Sequence, residues 1–241
     1  MAAQFIKGAL ISFMPTFLGA LPNVIVFQMN PDTITHTWTG GAEATSDAKA
    51  GHDPLAVKSL PSETFAFTIS LDANDMIADA DVNPIAASLA TLSGVYARLA
   101  ALEMLQYPTP APGPPLVGAG AAAAAAAATG GAGDGGQNET VPRLQVPVVL
   151  FAWGPERIVP VRVTALTITE KLYDAALNPI HADAQMTLRV LTLDDLVNVQ
   201  GIMKDIATGA YNYTQGLRQV QAMANLGDAA ASVLGMLPTP F

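Results

Sequence analysis

Two hydrophobic periods divide this chain. Residues 5–13 and 22–29 are apolar and rich in strand formers, with Gly19 and Pro22 between them, and they predict a hairpin. The second run ends at Asn30-Pro31. Pro31 lacks a backbone donor and pushes Asn30 out of the helical region, so the strand stops and the chain turns tightly. From Thr33 to Thr39 the pattern alternates strictly. Threonines occupy one face and Ile34, His36 and Trp38 the other. Gly40 to Leu60 is polar and reads as a loop. Thr64 to Leu71 alternates again and directs Phe65, Phe67, Ile69 and Leu71 toward a core.

The period then changes. Asp72, Asp75, Asp79 and Asp81 precede Pro84, after which Ile85, Leu89, Leu92, Tyr96 and Leu99 recur at spacings of three and four. That spacing predicts one amphipathic helix over 82–105, with Asp79 or Asp81 complementing its dipole. Residues 107–143 are Pro-rich, then polyalanine, then Gly-rich, the composition of an extended or disordered insertion.

Order resumes at Val146. VPVVLFAWG reads as a buried strand, Gly154 to Arg157 as a turn, and IVPVRVTALTITEKLYD as a long strand whose Pro160 argues for an edge or a bulge. Asp174 to Pro179 turns the chain. The next strand, from His181, presents Ala184, Met186, Leu188 and Val190 on one face. So long a hairpin suits the wall of a barrel or sandwich. Thr192 to Asp195 can cap a helix, and the remainder to Leu237 is helical in pattern, with expected breaks at Gly201, Gly209, Gly216, Gly227 and Gly235. The expected fold class is therefore α+β, mainly β with helices. Four strands precede the insertion and three follow it. They form one antiparallel barrel or sandwich over 1–195 with one flanking helix, and a helical extension covers 196–241.

Composition narrows the role. Charged residues are 13% of the 241, against roughly 25% in ordinary soluble domains. A surface so poor in charge suits a subunit covered by neighbours. The net charge of −9 with 11 Lys and Arg gives no basic face for nucleic acid. There is no cysteine, hence no disulfide, zinc-thiolate site or cysteine nucleophile. The apolar N-terminus has a lone Lys7 and is interrupted by Pro15, which suits a strand pair better than a signal peptide. Outside the polyalanine tract no apolar run reaches the length of a membrane span without Gly or Pro, so membrane contact is not expected.

Tests for chemistry return little. In DANDMIADADVN, Asp79, Asp81 and Asn83 match the first ligands of a calcium loop. Pro84 stands where that loop needs glycine, and Ala90 where it needs glutamate. His36, His52 and His181 share no metal-ligand spacing. There is no Gly-x-Ser-x-Gly elbow, and GGAGDGG has neither a strand before it nor Lys-Ser/Thr after it. Asp194-Asp195 reads as a helix start. Tyr96, Trp38 and Trp153 sit at core spacings more than at pocket spacings. No catalytic residue, metal ligand or cofactor is expected.

One resemblance remains. A strand ending Phe27-x-x-Asn30-Pro31 runs into a threonine segment ending at Trp38. Then come Phe65, Phe67, Ile69 and Leu71, an aspartate-led helix and a Pro-rich stretch. Pro147, Val149, Phe151, Trp153 and Gly154 follow, then a hairpin through Leu172, Tyr173, Asp174, Asn178, Pro179 and Ile180. This order, over residues 5–193 apart from the insertion, resembles the LysM-type tube-initiator proteins of the baseplates of phage tails and phage-tail-like contractile injection systems. The resemblance implies a tube-protein-like barrel with a flanking helix, a homohexameric ring between spike hub and inner tube, contacts with other baseplate or sheath subunits, and no catalysis. It implies assembly in the cytoplasm into a particle that is released or membrane-associated. Phe27, Asn30, Pro31, Trp38, Trp153, Gly154 and Tyr173 are its candidate structural and interface residues. The family commonly carries a LysM peptidoglycan-binding domain after the barrel. No such pattern is present here, and peptidoglycan binding does not carry over; the tail is expected to pack on a neighbouring ring or sheath subunit instead. The alternatives are a tube or cap adaptor ring of the same kind of particle, a monomeric small-ligand-binding barrel, and a secreted hydrolase using His181.

Overall fold

The computed structural model describes residues 6–16, 19–41, 57–108, 146–199 and 201–236, with side chains outside 13–22 and 227–236. Residues 109–145, with nearly all of the insertion expected over 107–143, and residues 42–56 of the loop lie outside the described residues. Seven strands form one antiparallel sheet: β1 (Ala9–Thr16), β2 (Gly19–Val26), β3 (Ile34–Thr39), β4 (Ser62–Asp72), β5 (Val149–Ala152), β6 (Ile158–Tyr173) and β7 (Pro179–Val190), in the order β2-β1-β5-β6-β7-β4-β3. Three short helices follow β4: α1 (Ala73–Ala78), α2 (Pro84–Ser93) and α3 (Tyr96–Glu103). Two more end the chain, α4 (Leu193–Leu196) and α5 (Ile202–Met236). Mixed α+β architecture, with four strands before the insertion and three after it, matches the alternating pattern of the sequence.

The core lies on one face of a strongly curled sheet. Phe65 and Phe67 of β4 pack on Phe151 of β5, with ring centroids 5.2 and 5.5 Å apart, although β6 and β7 separate those strands in the ladder. Phe27, just past β2, closes on Phe67 at 5.6 Å. Gln28 then bridges to the far end of β4, donating to the Asp72 carbonyl and accepting from its N–H at 2.8 and 3.0 Å. Met76, Leu99, Leu102 and Leu105 fill the core from the helical side. Fully burying each large side chain contributes about 1.5–3 kcal/mol, so the curl is held mainly by the aromatic cluster and these four residues.

Local chemistry sets the ends of these elements. Asp72 caps α1, accepting from the N–H groups of Asn74 and Asp75, and Asn83 caps α2 with Pro84 in its first turn. Thr192 and Asp195 form a reciprocal capping box at α4.

Five expectations need correction. The single helix over 82–105 is two helices, because Gly94 has φ +57° and packs so close to β7 that a Cβ would meet the Pro179 carbonyl at 2.2 Å. Val95 N–H then donates to that carbonyl, tying the break to the hairpin. The caps there are Asp72 and Asn83, whereas Asp79 ends α1. In α5, Gly209 and Gly216 interrupt nothing, and neither does Gly227 or Gly235. Glycine costs about 1 kcal/mol per helical site but removes no backbone hydrogen bond, and Gly201 lies just outside. Gly19 and Pro22 belong to β2 and not to a turn. Pro160 is interior, between β5 and β7. Its carbonyl accepts from Leu191 N–H, so its missing donor falls at the last rung, and the register shift comes at Val163/Ala165.

Candidate assembly interface

Only the first four residues of β6, Ile158 to Val161, pair with β5, while the strand continues to Tyr173 against β7 alone. Among the described residues, the outer edge of β6 from Thr164 to Tyr173 therefore has no partner strand. Nor, among the described residues, does the outer edge of β3 have one. Between these edges stands a four-stranded wall, β6-β7-β4-β3. Its inner face carries Phe65, Phe67, Ala184, Met186 and Leu188 of the core. Its other face is polar: Thr35 and Thr37 on β3, Thr64, Thr68 and Ser70 on β4, Gln185 and Thr187 on β7, Thr167 and Thr169 on β6. β3 contains no Lys, Arg, Asp, Glu or Pro, whereas free β6 carries Glu170 and Lys171, follows a register shift at Val163/Ala165 and ends in an exposed tip at Leu172 and Tyr173.

Side-chain ties hold the wall in register. Asp183 accepts from Lys171 and, at 2.7 Å, from Ser70, joining β6, β7 and β4 in one row. The Lys171 hydrogen bond is the main reason the Asp183 carboxyl titrates below its usual range. At the β6–β7 tip, Asp174 accepts from the backbone of Ala176 and Asn178 at 2.8 Å and from the Asn178 side chain at 2.9 Å. Those bonds, the Asn178 side chain first, hold its carboxyl below the usual range. They support Leu172 and Leu177 at φ +53° and +65°, a region leucine rarely visits. Leu172, Tyr173 and Leu177 are all exposed there.

A second cluster fastens α5 to the β3–β4 end of the wall. Glu63 is 5% exposed. Arg218 of α5 donates to both its oxygens, and His36 Nε2 lies 2.5 Å from Oε1. The His36 ring stacks on Phe65 at 4.1 Å and lies 3.6 Å from Trp38, while the Arg218 guanidinium is 6.0 Å from the Trp38 ring. Burial lowers the His36 pKa, aided by the Arg157 and Arg218 charges, and this outweighs the pull of Glu63. The imidazole is therefore neutral at pH 7 and donates from Nε2. Burial pushes Glu63 upward, but the Arg218 and His36 hydrogen bonds and charges exceed it, and the carboxyl sits below its usual value. Further along α5, the Thr214 hydroxyl donates to the Ile158 carbonyl at 2.7 Å and Tyr213 to the Pro155 carbonyl at 3.0 Å.

The seven candidate residues divide between core and surface. Phe27 is buried and touches Trp153 at 6.4 Å between centroids. The Asn30 side chain accepts from Gly8 N–H and donates to the Ile6 carbonyl, both at 2.9 Å, so it pins the segment leading into β1 to the corner. Pro31 follows in that corner, and Gly154 takes φ +71° in the β5–β6 turn. Trp38, 54% exposed, and Tyr173 lie on the surface at the two free edges of the wall. The Glu63–Arg218 pair, 155 positions apart, had no signal in the sequence, and neither did the exposure of half of β6.

A groove of about 310 Å³ runs between β2 and the helices α2 and α3, with Arg98 at its wall. Of the acidic segment, Asp72 and Asn83 serve as caps, and among the described residues no three metal-ligating side chains gather. His181 lies between Asp72 and Asp183, at 3.4 and 3.5 Å. No family model matches the sequence, and no curated protein matches it at a significant level.

Proposed function

We propose that this chain is a ring-forming structural subunit whose wall β6-β7-β4-β3 joins head to tail with copies of itself, β6 of one copy against β3 of the next. The carrying observation is the pair of free edges on that wall. Within it the strands alternate in direction, and four is an even number. If the polar face stays on the same side from copy to copy and the order of strands continues, chirality fixes the direction of the incoming strand. β6 and the next β3 then run antiparallel, the more favourable pairing. Because the interface is heterologous, it either closes a ring or propagates.

Six copies would give a wall of 24 strands. At about 4.8 Å per strand it is roughly 115 Å around, hence roughly 40 Å across before strand tilt widens it. The polar, threonine-rich face would line that lumen, and the core and helices would lie outside, a tube-like barrel made jointly by the subunits. Together with the order of Asn30-Pro31, Phe-x-Phe, Trp153-Gly154 and the long hairpin, this supports a baseplate tube initiator between spike hub and inner tube in a contractile injection system. A tube or cap adaptor ring would use the same wall. In either ring α5 is held on the outside by Glu63–Arg218, available to sheath or baseplate neighbours.

Site-directed cross-linking tests the joint. The chain has no cysteine, so one Cys on β3 and one on free β6 report on that contact alone. Oligomers of Thr37→Cys with Thr167→Cys should cross-link into ladders. Oligomers that form without cross-links at any β3–β6 pair would refute this joint.

A further inference from the structure

Among the described residues, a third edge without a partner strand, that of β2, lies outside the wall. Phe27 N–H donates to the Gly8 carbonyl at 2.8 Å, extending the β1–β2 register in which Val26 faces Ala9. In an antiparallel ladder these bonds alternate, so Ile25 and Asn23 also face β1. Val24 and Val26 then point their N–H and C=O groups outward. Pro22, which has no N–H, falls in the same outward set, where its missing donor removes no rung. The Val26 carbonyl confirms this direction by accepting from Arg98 at 3.0 Å.

That edge forms one wall of the 310 Å³ groove, at the lower end of the roughly 300–1,000 Å³ usual for ligand sites. Opposite stand small side chains of α2 and α3, Ala86, Ala90, Ala97 and Ala101. Arg98 uses one of its five donors on Val26, and among the described residues no carboxylate pairs with it. Burial alone depresses its pKa. A half-buried cation with unused donors, at the end of an unpaired strand edge over an alanine floor, has its complement in an extended chain bearing a carboxylate.

We propose that this groove is a strand-addition site. An extended, apolar segment of a partner protein pairs with Val24 and Val26, and an acidic side chain of that segment pairs with Arg98. Backbone hydrogen bonds supply affinity, the alanine floor admits alternate side chains, and Arg98 sets which end is acidic. The site does not depend on ring closure, since β2 is not part of the wall.

The probe is a fluorescein-labelled octapeptide, Ser-Val-Thr-Val-Glu-Val-Thr-Ser, titrated against the full-length protein by anisotropy. Saturable binding is expected, about fivefold weaker for the peptide with Gln in place of Glu. Arg98→Gln should erase that preference. Val24→Pro removes one outward donor while sparing the β1 ladder, and should weaken binding at an unchanged melting temperature. Absence of saturable binding, equal binding by an N-methylated peptide, or a Glu preference that survives Arg98→Gln would overturn the assignment. So would self-association abolished by Val24→Pro, which would make a second copy the occupant.

Discussion

Arg218→Ala isolates the fastening of the C-terminal helix. It removes both donors that Arg218 gives to Glu63 and leaves a carboxylate 5% exposed with only His36 as a partner. Breaking a fully buried pair from one side costs about 3–5 kcal/mol, because the remaining charge is stranded. Here the Arg218 side chain is 30% exposed, so water can reach the vacated position. A cost of about 2–3 kcal/mol is expected after that discount. For a chain of this size each kcal/mol moves the midpoint by about 2–4 °C, so the melting temperature should fall by about 4–12 °C. The assay is urea denaturation with a parallel thermal melt, followed by limited proteolysis to see whether cleavage in α5 rises. Replacing both partners, Glu63→Gln with Arg218→Met, strands no charge and should recover more than half of the loss. A cost below about 0.5 kcal/mol for Arg218→Ala would refute the claim that this pair holds α5.

Acid should weaken the same cluster in two stages. His36 has a folded pKa below its ordinary 6.5, so the unfolded chain takes up its proton first and stability falls as pH drops through 6.5. Glu63 has a folded pKa below its ordinary 4.5, so its contribution is present above that value and fades as pH falls through the folded pKa. Denaturation midpoints at stepped pH check this, and a midpoint that rises on acidification below pH 6 would contradict it. Asn30→Ala loses one backbone N–H and one carbonyl partner at the β1 corner and should cost about 1–2 kcal/mol by urea titration, with Pro31→Ala weakening assembly more than fold. Thr37→Lys places a charge on the open edge of β3 and should lower oligomer mass while leaving the melting temperature within about 2 °C of the parent. Unchanged oligomer mass would count against that edge.

The fold was legible wherever one period governed both face and core. Phe65, Phe67, Ile69 and Leu71 alternate because β4 buries one face only, and Ala184 to Val190 do the same on β7. Legibility failed where backbone events interrupt a side-chain pattern. The apolar spacing from Ile85 to Leu99 continues across Gly94, but the close approach of Pro179 turns the chain there. The glycines of α5 read as breaks, yet that helix is anchored by Thr214 and Arg218 on strands far away in sequence. The candidate interface residues were half legible. Asn30-Pro31 is visible as a strand-ending corner because local rules govern it, whereas Trp38, at a core spacing in the sequence, is 54% exposed. The open half of β6 is invisible, since no local pattern shows that β5 pairs only with Ile158 to Val161. Glu63 looks like a solvated strand residue until its partner 155 positions away is known.

The mass of the purified full-length protein, measured by mass photometry alongside negative-stain imaging, bears most directly on the ring. Six copies of the 24.9 kDa chain should appear as a species of about 149 kDa with sixfold end views and an open centre. A chain that stays monomeric at every concentration tested, or a two-fold dimer as its largest closed species, would contradict it.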